Sequence, residues 1–321
     1  MANTTHTVPA GPLEVDPAWL RFLNPSEPID TRMGVDTMLS RTGRELSFGA
    51  SYPSKRLDII HHIYLLLLDG KLFRAPVRDD IQRILDVGTG TGIWAIDVAE
   101  SFPTAEVVGT DLSPIQPSWV PPNVSFQIDD AESVWTFSRD SFDLIHIRHL
   151  NGGIKDWGKL IGQAFTALKP GGWIDIAEYE FILKSDDGTL SPESNLAKYY
   201  RLVNEAADKL GQEFKIASSL DRFILDAGFD KVHHEETKIP LGTWPAEKKQ
   251  KEMGAFLLLT TENAFEAFGM ALLTRSLGMG IPEVEELITA AKRESRSKKT
   301  HTYSSQHLYY AQKPFKKADP E

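Results

Sequence analysis

The residues best placed to do chemistry are Asp86, the alternate glycines Gly88, Gly90 and Gly92 behind it, and two later aspartates, Asp111 and Asp130. The glycines let the backbone come close to a ligand. Their spacing departs from the G-x-G-x-x-G of a dinucleotide site, because position 93 is Ile and the third glycine falls one residue early. A carboxylate just before the first glycine repels phosphate and attracts an ammonium or sulfonium. Asp111 lies about 20 residues beyond the loop, where a carboxylate accepts hydrogen bonds from both ribose hydroxyls. Asp130 is placed to accept from an adenine amino group, with the Ala131 N–H donating to a ring nitrogen. The three acids together describe an adenosine ligand with a cationic tail, and S-adenosylmethionine is such a ligand. The alternative at the loop is a plain tight βα turn in which Asp86 only caps a helix.

Such residues must be brought to one edge by the elements that carry them. Ile84–Val87, Glu106–Thr110, Val124–Ile128, Phe142–Ile147 and Trp173–Ala177 read as five short apolar strands, with helical lengths between them such as Asp156–Leu168. That alternation predicts parallel βαβ units, whose strand carboxyl ends face one crevice. Lys231–Ile239 and Thr302–Gln312 add a sixth and a seventh strand. The fold expected is therefore α/β, a Rossmann-like, doubly wound, seven-stranded sheet with the last strand antiparallel. Before it, Arg56–Phe73 reads as a helix that is apolar nearly all round and buried on several sides. His61 and His62 on this helix read as core or edge histidines, with Asp58 near His62. The expected organisation is a flexible N-terminal arm over 1–30, an N-terminal helical lid over 31–80, and a main domain over 81–315. A helical cap, 246–297, is inserted between strands 6 and 7. Its apolar set, Phe256, Leu259, Phe265, Phe268 and Leu272, serves either as core or as a pocket wall.

Bulk properties narrow the function. The chain has 321 residues, 41% of them hydrophobic, enough for a large core, and its net charge of −10 lacks the basic footprint of a nucleic-acid binder. The run Lys292–Lys299 (KRESRSKK) reads as a solvated helix end, with a local basic patch as the alternative. With no cysteines there is neither a disulfide nor a thiolate metal site nor a Cys nucleophile. Met1–Pro12 lacks the basic and apolar regions of a signal peptide, and Ile63–Leu68 is too short an apolar stretch to span a bilayer. No membrane association and a cytoplasmic location follow as expectations, with the nucleus as the alternative. No His/Asp/Glu cluster has metal-ligand spacing.

The motifs DVGTGTGIW (86–94), GTDLSPIQP (109–117), DDAE (129–132), FDLIHIRHLNGGIKDW (142–157) and LKPGG (168–172) resemble those of class I S-adenosylmethionine-dependent methyltransferases. Within these, the sequence is similar to the fungal LaeA-like (TAM-domain) group, a likeness that extends to GTWP (242–245), LLTRSLG (272–278) and YYAQKP (309–314). The resemblance implies cofactor contacts from Asp86, Gly88, Thr89, Gly90, Asp111, Leu112, Asp130 and Ala131, with Arg148 near the methionine end. One departure stands out: where family members carry a Tyr followed by an acidic run, this chain has SFGASYPSK (47–55), so only Tyr52 carries over, as a lid residue.

The expected reaction is transfer of the sulfonium methyl to an oxygen, nitrogen or carbon of a small organic acceptor. The protein's task would be mainly alignment in a dry site. If the acceptor must lose a proton, His149, just after the fourth strand, is the first candidate base, with Tyr52, His146, Glu178 and Tyr179 behind it. The alternative for His149 is a structural hydrogen bond. Two other functions stay open, a regulator or protein methyltransferase acting in a complex, and non-methylating chemistry on the same fold. An enclosed aromatic pocket would favour the small-molecule enzyme. The acceptor is expected between the N-terminal segment, with Thr42–Ser54 as lid, and the Ala246–Gly278 helix.

Overall fold

The structure is a computed structural model that describes residues 5–7 and 52–316. One mixed sheet runs in the order β1-β7-β8-β6-β5-β2-β3-β4. The strands are β1 (Thr5–Thr7), β2 (Arg83–Val87), β3 (Glu106–Asp111), β4 (Val124–Ile128), β5 (Phe142–Arg148), β6 (Leu168–Tyr179), β7 (Asp230–Leu241) and β8 (Thr302–Gln312). Only β8 is antiparallel to its neighbours, β6 and β7. The seven expected strands are all present, the last antiparallel. Thr5–Thr7, within the expected arm, adds an eighth by pairing parallel with β7. Without it β7 would present an unpaired edge.

The central strands are apolar along their whole length because both faces are covered. On one face α2 (Ile93–Ser101) buries Trp94, Ala95 and Val98. On the other, α3 (Trp157–Ala167) and α5 (Leu220–Asp226) bury Leu160, Ile161 and Ile224 against β5 and β6. The helix expected over Arg56–Phe73 is α1 (Tyr52–Leu67), and it stops earlier than its apolar pattern suggests. Asp69 and Gly70 take left-handed backbone, and the Gly70 N–H donates to the Leu65 carbonyl at 2.7 Å. Phe73 then packs on Trp94 and Phe102 instead of continuing the helix.

The cap, α6 (Lys248–Leu277) and α7 (Ile281–Ser295), shares an apolar cluster with α4 (Asn195–Lys209), which precedes β7. The basic end of α7 is tied to α6 by Lys292–Glu266 and Arg296–Glu262 pairs. Between Glu262 and Ala264, α6 bends by 42°. Among the described residues no single helix is long and apolar enough to cross a membrane. The two halves of α6 together pass by length and composition, yet their Phe256, Phe265 and Leu273 are buried in this fold.

Candidate active site

Asp86 ends its strand as a carboxylate only 3% exposed, and among the described residues its hydrogen-bond donor is the Thr89 hydroxyl at 2.5 Å. Burial raises its pKa, and His146, Thr89 and Arg148 offset this only in part. A buried carboxylate so thinly satisfied fits a bound cation. Gly88 follows with φ +69°, and a Cβ there would collide with the Leu150 side chain, so the backbone stays bare beside the crevice. One turn of chain later, the Gly90 N–H donates to Asp111 Oδ2 at 2.8 Å, while Ser113 N–H donates to Oδ1 at 2.9 Å. Each Asp111 oxygen keeps a lone pair for a ribose hydroxyl. Leu112, 68% exposed, and Ile128, 69% exposed and in register with Asp111, give apolar faces suited to a purine. Asp130 is anchored by Glu132 N–H and the Ser133 hydroxyl.

These anchors bear on a simple view of Asp111, that its carboxylate serves only the ligand. Asp111→Ala removes the acceptor of two backbone N–H groups as well. It is expected to weaken S-adenosylmethionine binding by about 1.5–3 kcal/mol and to lower ligand-free stability by about 1–2 kcal/mol. Calorimetry of binding and denaturant unfolding of the same variant read the two losses separately.

Helix α1 lies over this loop. Asp58 accepts from the Thr91 hydroxyl at 2.7 Å, and Leu57 sits 3.1 Å from where a Gly90 Cβ would be. His61, 2% exposed, joins three elements: its Nε2 lies 3.0 Å from Asp97 of α2 and its Nδ1 3.1 Å from Arg148 Nη1 of β5. Arginine can only donate, so Nδ1 accepts and Nε2–H donates to Asp97. His61 is therefore neutral, in keeping with a pKa lowered to about 4, chiefly by burial. It holds Arg148, whose guanidinium also lies 5.1 Å over the Tyr64 ring.

His149 is a non-glycine residue with φ +61°, and its N–H donates to the Ala177 carbonyl. This unusual turn lays the ring on Tyr179, 4.4 Å between centroids, and leaves Nδ1 buried, with no hydrogen-bond partner among the described residues. Burial first, then the charges of Arg56 and Arg148, lowers its pKa to about 3. At neutral pH it is a weak base. His146 is elsewhere, stacked on Trp94 at 3.8 Å and 3.3 Å from Asp175. Glu178 is fully buried and accepts from the Leu150 and Asn151 N–H groups, fixing the chain after His149. The side chain of Tyr52, first residue of α1, lies outside the described residues, as does the lid segment before it.

Burial raises the Glu178 pKa to about 8, against backbone hydrogen bonds that lower it. An acid whose folded pKa is raised binds its proton more tightly in the folded than in the unfolded state. Its contribution to stability is therefore lost as pH climbs from the ordinary carboxyl range toward about 8. An unfolded-state histidine is half charged at about pH 6.5 and essentially neutral above about pH 7.5, so His61 and His149 add no appreciable slope above that pH. Thermal melts from about pH 7.5 to 8.5 should show Tm falling, and Glu178→Gln should flatten the fall. An unchanged slope in that variant would exclude Glu178 as its source.

Beside His149 a cavity opens between α1, the end of β6, α4 and α6, with about 750 Å³ of empty space including its mouth. Tyr179, Phe181, Tyr199, Tyr200, Phe265 and Phe268 form its aromatic walls. The cap's apolar set thus divides: Phe265 and Phe268 face the cavity, whereas Phe256 packs against α1 in the core. Among the described residues no group of three or more His, Asp or Glu could hold a metal ion.

The sequence profile of a methyltransferase domain matches residues 32–234. The chain belongs to the methyltransferase domain family. Methyltransferase pytC of Aspergillus terreus is 41% identical over 261 residues, covering 81% of this chain and 80% of its own. The secondary metabolism regulator LAE1 of Cochliobolus heterostrophus is 37% identical over 265 residues, covering 81% and 86%. S-adenosylmethionine is the cofactor of this methyltransferase. The crevice fits it: Asp86 for the cationic end, Gly88, Thr89 and Gly90 as the bare loop, and Asp111, Leu112, Asp130 and Ala131 for the adenosine. Sequence reasoning did not place Arg56, Tyr64 and the Tyr199–Tyr200 pair at one cavity, nor His61 between Asp97 and Arg148. For the α1 residues the one hint was their polarity within an otherwise apolar pattern.

Proposed function

We propose that this methyltransferase modifies a small organic acceptor of fungal secondary metabolism, bound in the aromatic cavity. The observation that carries the reading is the joining of cavity and cofactor crevice at one strand end, where the charge of Asp86 acts on Arg148 and the next residue, His149, lines the cavity. Bound S-adenosylmethionine supplies an electrophilic methyl on a sulfonium. The chain's own residues do the rest. Asp86 holds the cationic end, Asp111 fixes the ribose, and His61 steadies Arg148. The aromatic walls exclude water and orient a ring-bearing acceptor. His149 contributes a neutral ring nitrogen that positions the acceptor; its low basicity argues against a role as the proton-removing base. Similarity to LAE1 supports a second reading, a regulatory protein acting in a complex, but a cavity with this aromatic lining suits a small molecule better. We place the protein in the cytoplasm.

The test is incubation of the purified protein with methyl-labelled S-adenosylmethionine and, separately, fungal small-molecule extract and fungal protein. Label in a small-molecule product supports this reading. Label confined to protein would replace it with the second.

A further inference from the structure

Among the described residues the aromatic cavity holds a cation without a carboxylate partner. Its charged lining residues are Arg56 and Glu180. Glu180 is paired, with Lys184 Nζ at 2.7 Å and His307 Nε2 at 3.8 Å. Arg56 is half-buried in α1, and among the described residues no carboxylate pairs with it. A guanidinium partly withdrawn from water without a counter-charge is costly unless a ligand supplies one. Its location is also informative. The neighbouring Leu57 lies against Gly90, and Asp58 is bonded to Thr91, so Arg56 sits at the end of α1 that covers the cofactor loop. The same charge acts on His149, whose unpartnered Nδ1 belongs to the same cavity. The cavity thus pairs an aromatic slot with a cation and a free ring nitrogen at its cofactor end.

From this juxtaposition we infer that Arg56 is the subsite for an acidic oxygen of the acceptor, a carboxylate or an acidic enolate on a ring-sized apolar body, and that this oxygen is the nucleophile. The inference rests on the small-molecule reading above and narrows it. An acceptor that arrives ionised needs no base, in accord with the absence of a basic His149. In the transfer, a lone pair of that oxygen forms the O–CH3 bond while the S–CH3 bond breaks and leaves its electron pair on sulfur. The anion becomes a neutral ester or enol ether and the sulfonium a neutral thioether. No proton moves in the step, because the acid released its proton to solvent before binding. Arg56 and the His149 nitrogen orient the oxygen and exclude neutral look-alikes, for which the half-buried guanidinium would remain unpaired.

The probes are 2-naphthoate with its neutral partner 2-naphthamide, and 4-hydroxycoumarin with coumarin, titrated by calorimetry into the full chain saturated with S-adenosylhomocysteine. Each anion is expected to bind about tenfold or more tighter than its neutral partner. In Arg56→Gln that preference should fall to about threefold or less, and Arg56→Lys should retain part of it. Preference for naphthoate alone marks a carboxylic acid acceptor, and for 4-hydroxycoumarin alone an enol. Equal binding of anion and neutral partner by the wild type, or no binding of either anion, would overturn the inference while leaving the methyltransferase reading intact. The wild-type comparison stands even if Arg56→Gln fails to fold. Failure of S-adenosylhomocysteine to bind the wild type would overturn both.

Discussion

Asp86→Asn is expected to leave the ligand-free protein at least as stable as the wild type while weakening S-adenosylmethionine binding by about 2–4 kcal/mol. The two effects have opposite signs for one physical reason. Burial raises the Asp86 pKa, so the folded protein holds a carboxylate it would sooner protonate. Stability is reduced as pH rises past the ordinary carboxyl range, because the unfolded chain ionises first and the folded one resists. Asparagine keeps the shape and an oxygen for the Thr89 hydroxyl, and it removes that cost. When the cofactor binds, the same carboxylate gains a cationic partner in a site from which water is withdrawn. Its loss is then felt in full. Unfolding melts of the ligand-free variant and calorimetric titration with S-adenosylmethionine read the two signs. A variant that binds as well as the wild type would mean that Asp86 is only the end of a tight turn.

This division between loop and lid marks what could be read from the amino-acid order. The Asp86–Gly92 stretch, Asp111 and Asp130 follow a parallel sheet in sequence, so their convergence is a consequence of strand direction and can be inferred strand by strand. The β-branched runs of β2, β3 and β5 announce their burial for the same reason. Helix α1 is different. It packs on the sheet from outside the winding order, and nothing in sequence spacing ties His61 to Asp97 or Arg148, or Arg56 to His149. Its length differs from its pattern as well, since the apolar residues run on to Phe73 while the backbone turns left-handed at Asp69 and Gly70. Likewise the insertion's aromatic residues are evident in the sequence. Which of them face a cavity depends on the bend in α6 near residue 263, which no local signal announces.

The attachment of α6 depends on one small residue, and its exchange should have a large effect. Gly254 lies in the second turn of the helix, where it crosses the end of β7. The Gly242 N–H donates to the Gly254 carbonyl at 3.0 Å, and a Cβ on Gly254 would fall on the Gly242 carbonyl oxygen, with Pro240 Cβ a further 3.3 Å neighbour. The obstacle is backbone, which cannot swing aside as a side-chain end can. Gly254→Ala must therefore push α6 off β7 and break the Gly242–Gly254 bond. Denaturant unfolding is expected to show a loss of about 2–4 kcal/mol, despite the better helix propensity of alanine. The same exchange at Gly162 of α3, where an added Cβ meets nothing within 4 Å, should instead stabilise by about 0.5–1 kcal/mol. Because α6 supplies Leu257, Thr260, Thr261, Ala264, Phe265 and Phe268 to the cavity, the displaced helix widens the slot in which the acceptor must be aligned. The glycine loop and the aspartates that bind the cofactor stand on other elements. Gly254→Ala should accordingly keep S-adenosylhomocysteine affinity within about twofold of the wild type and lose acceptor turnover by 100-fold or so, in the way small misplacements do. Equal loss of both would show that α6 braces the whole crevice instead of one wall of the cavity.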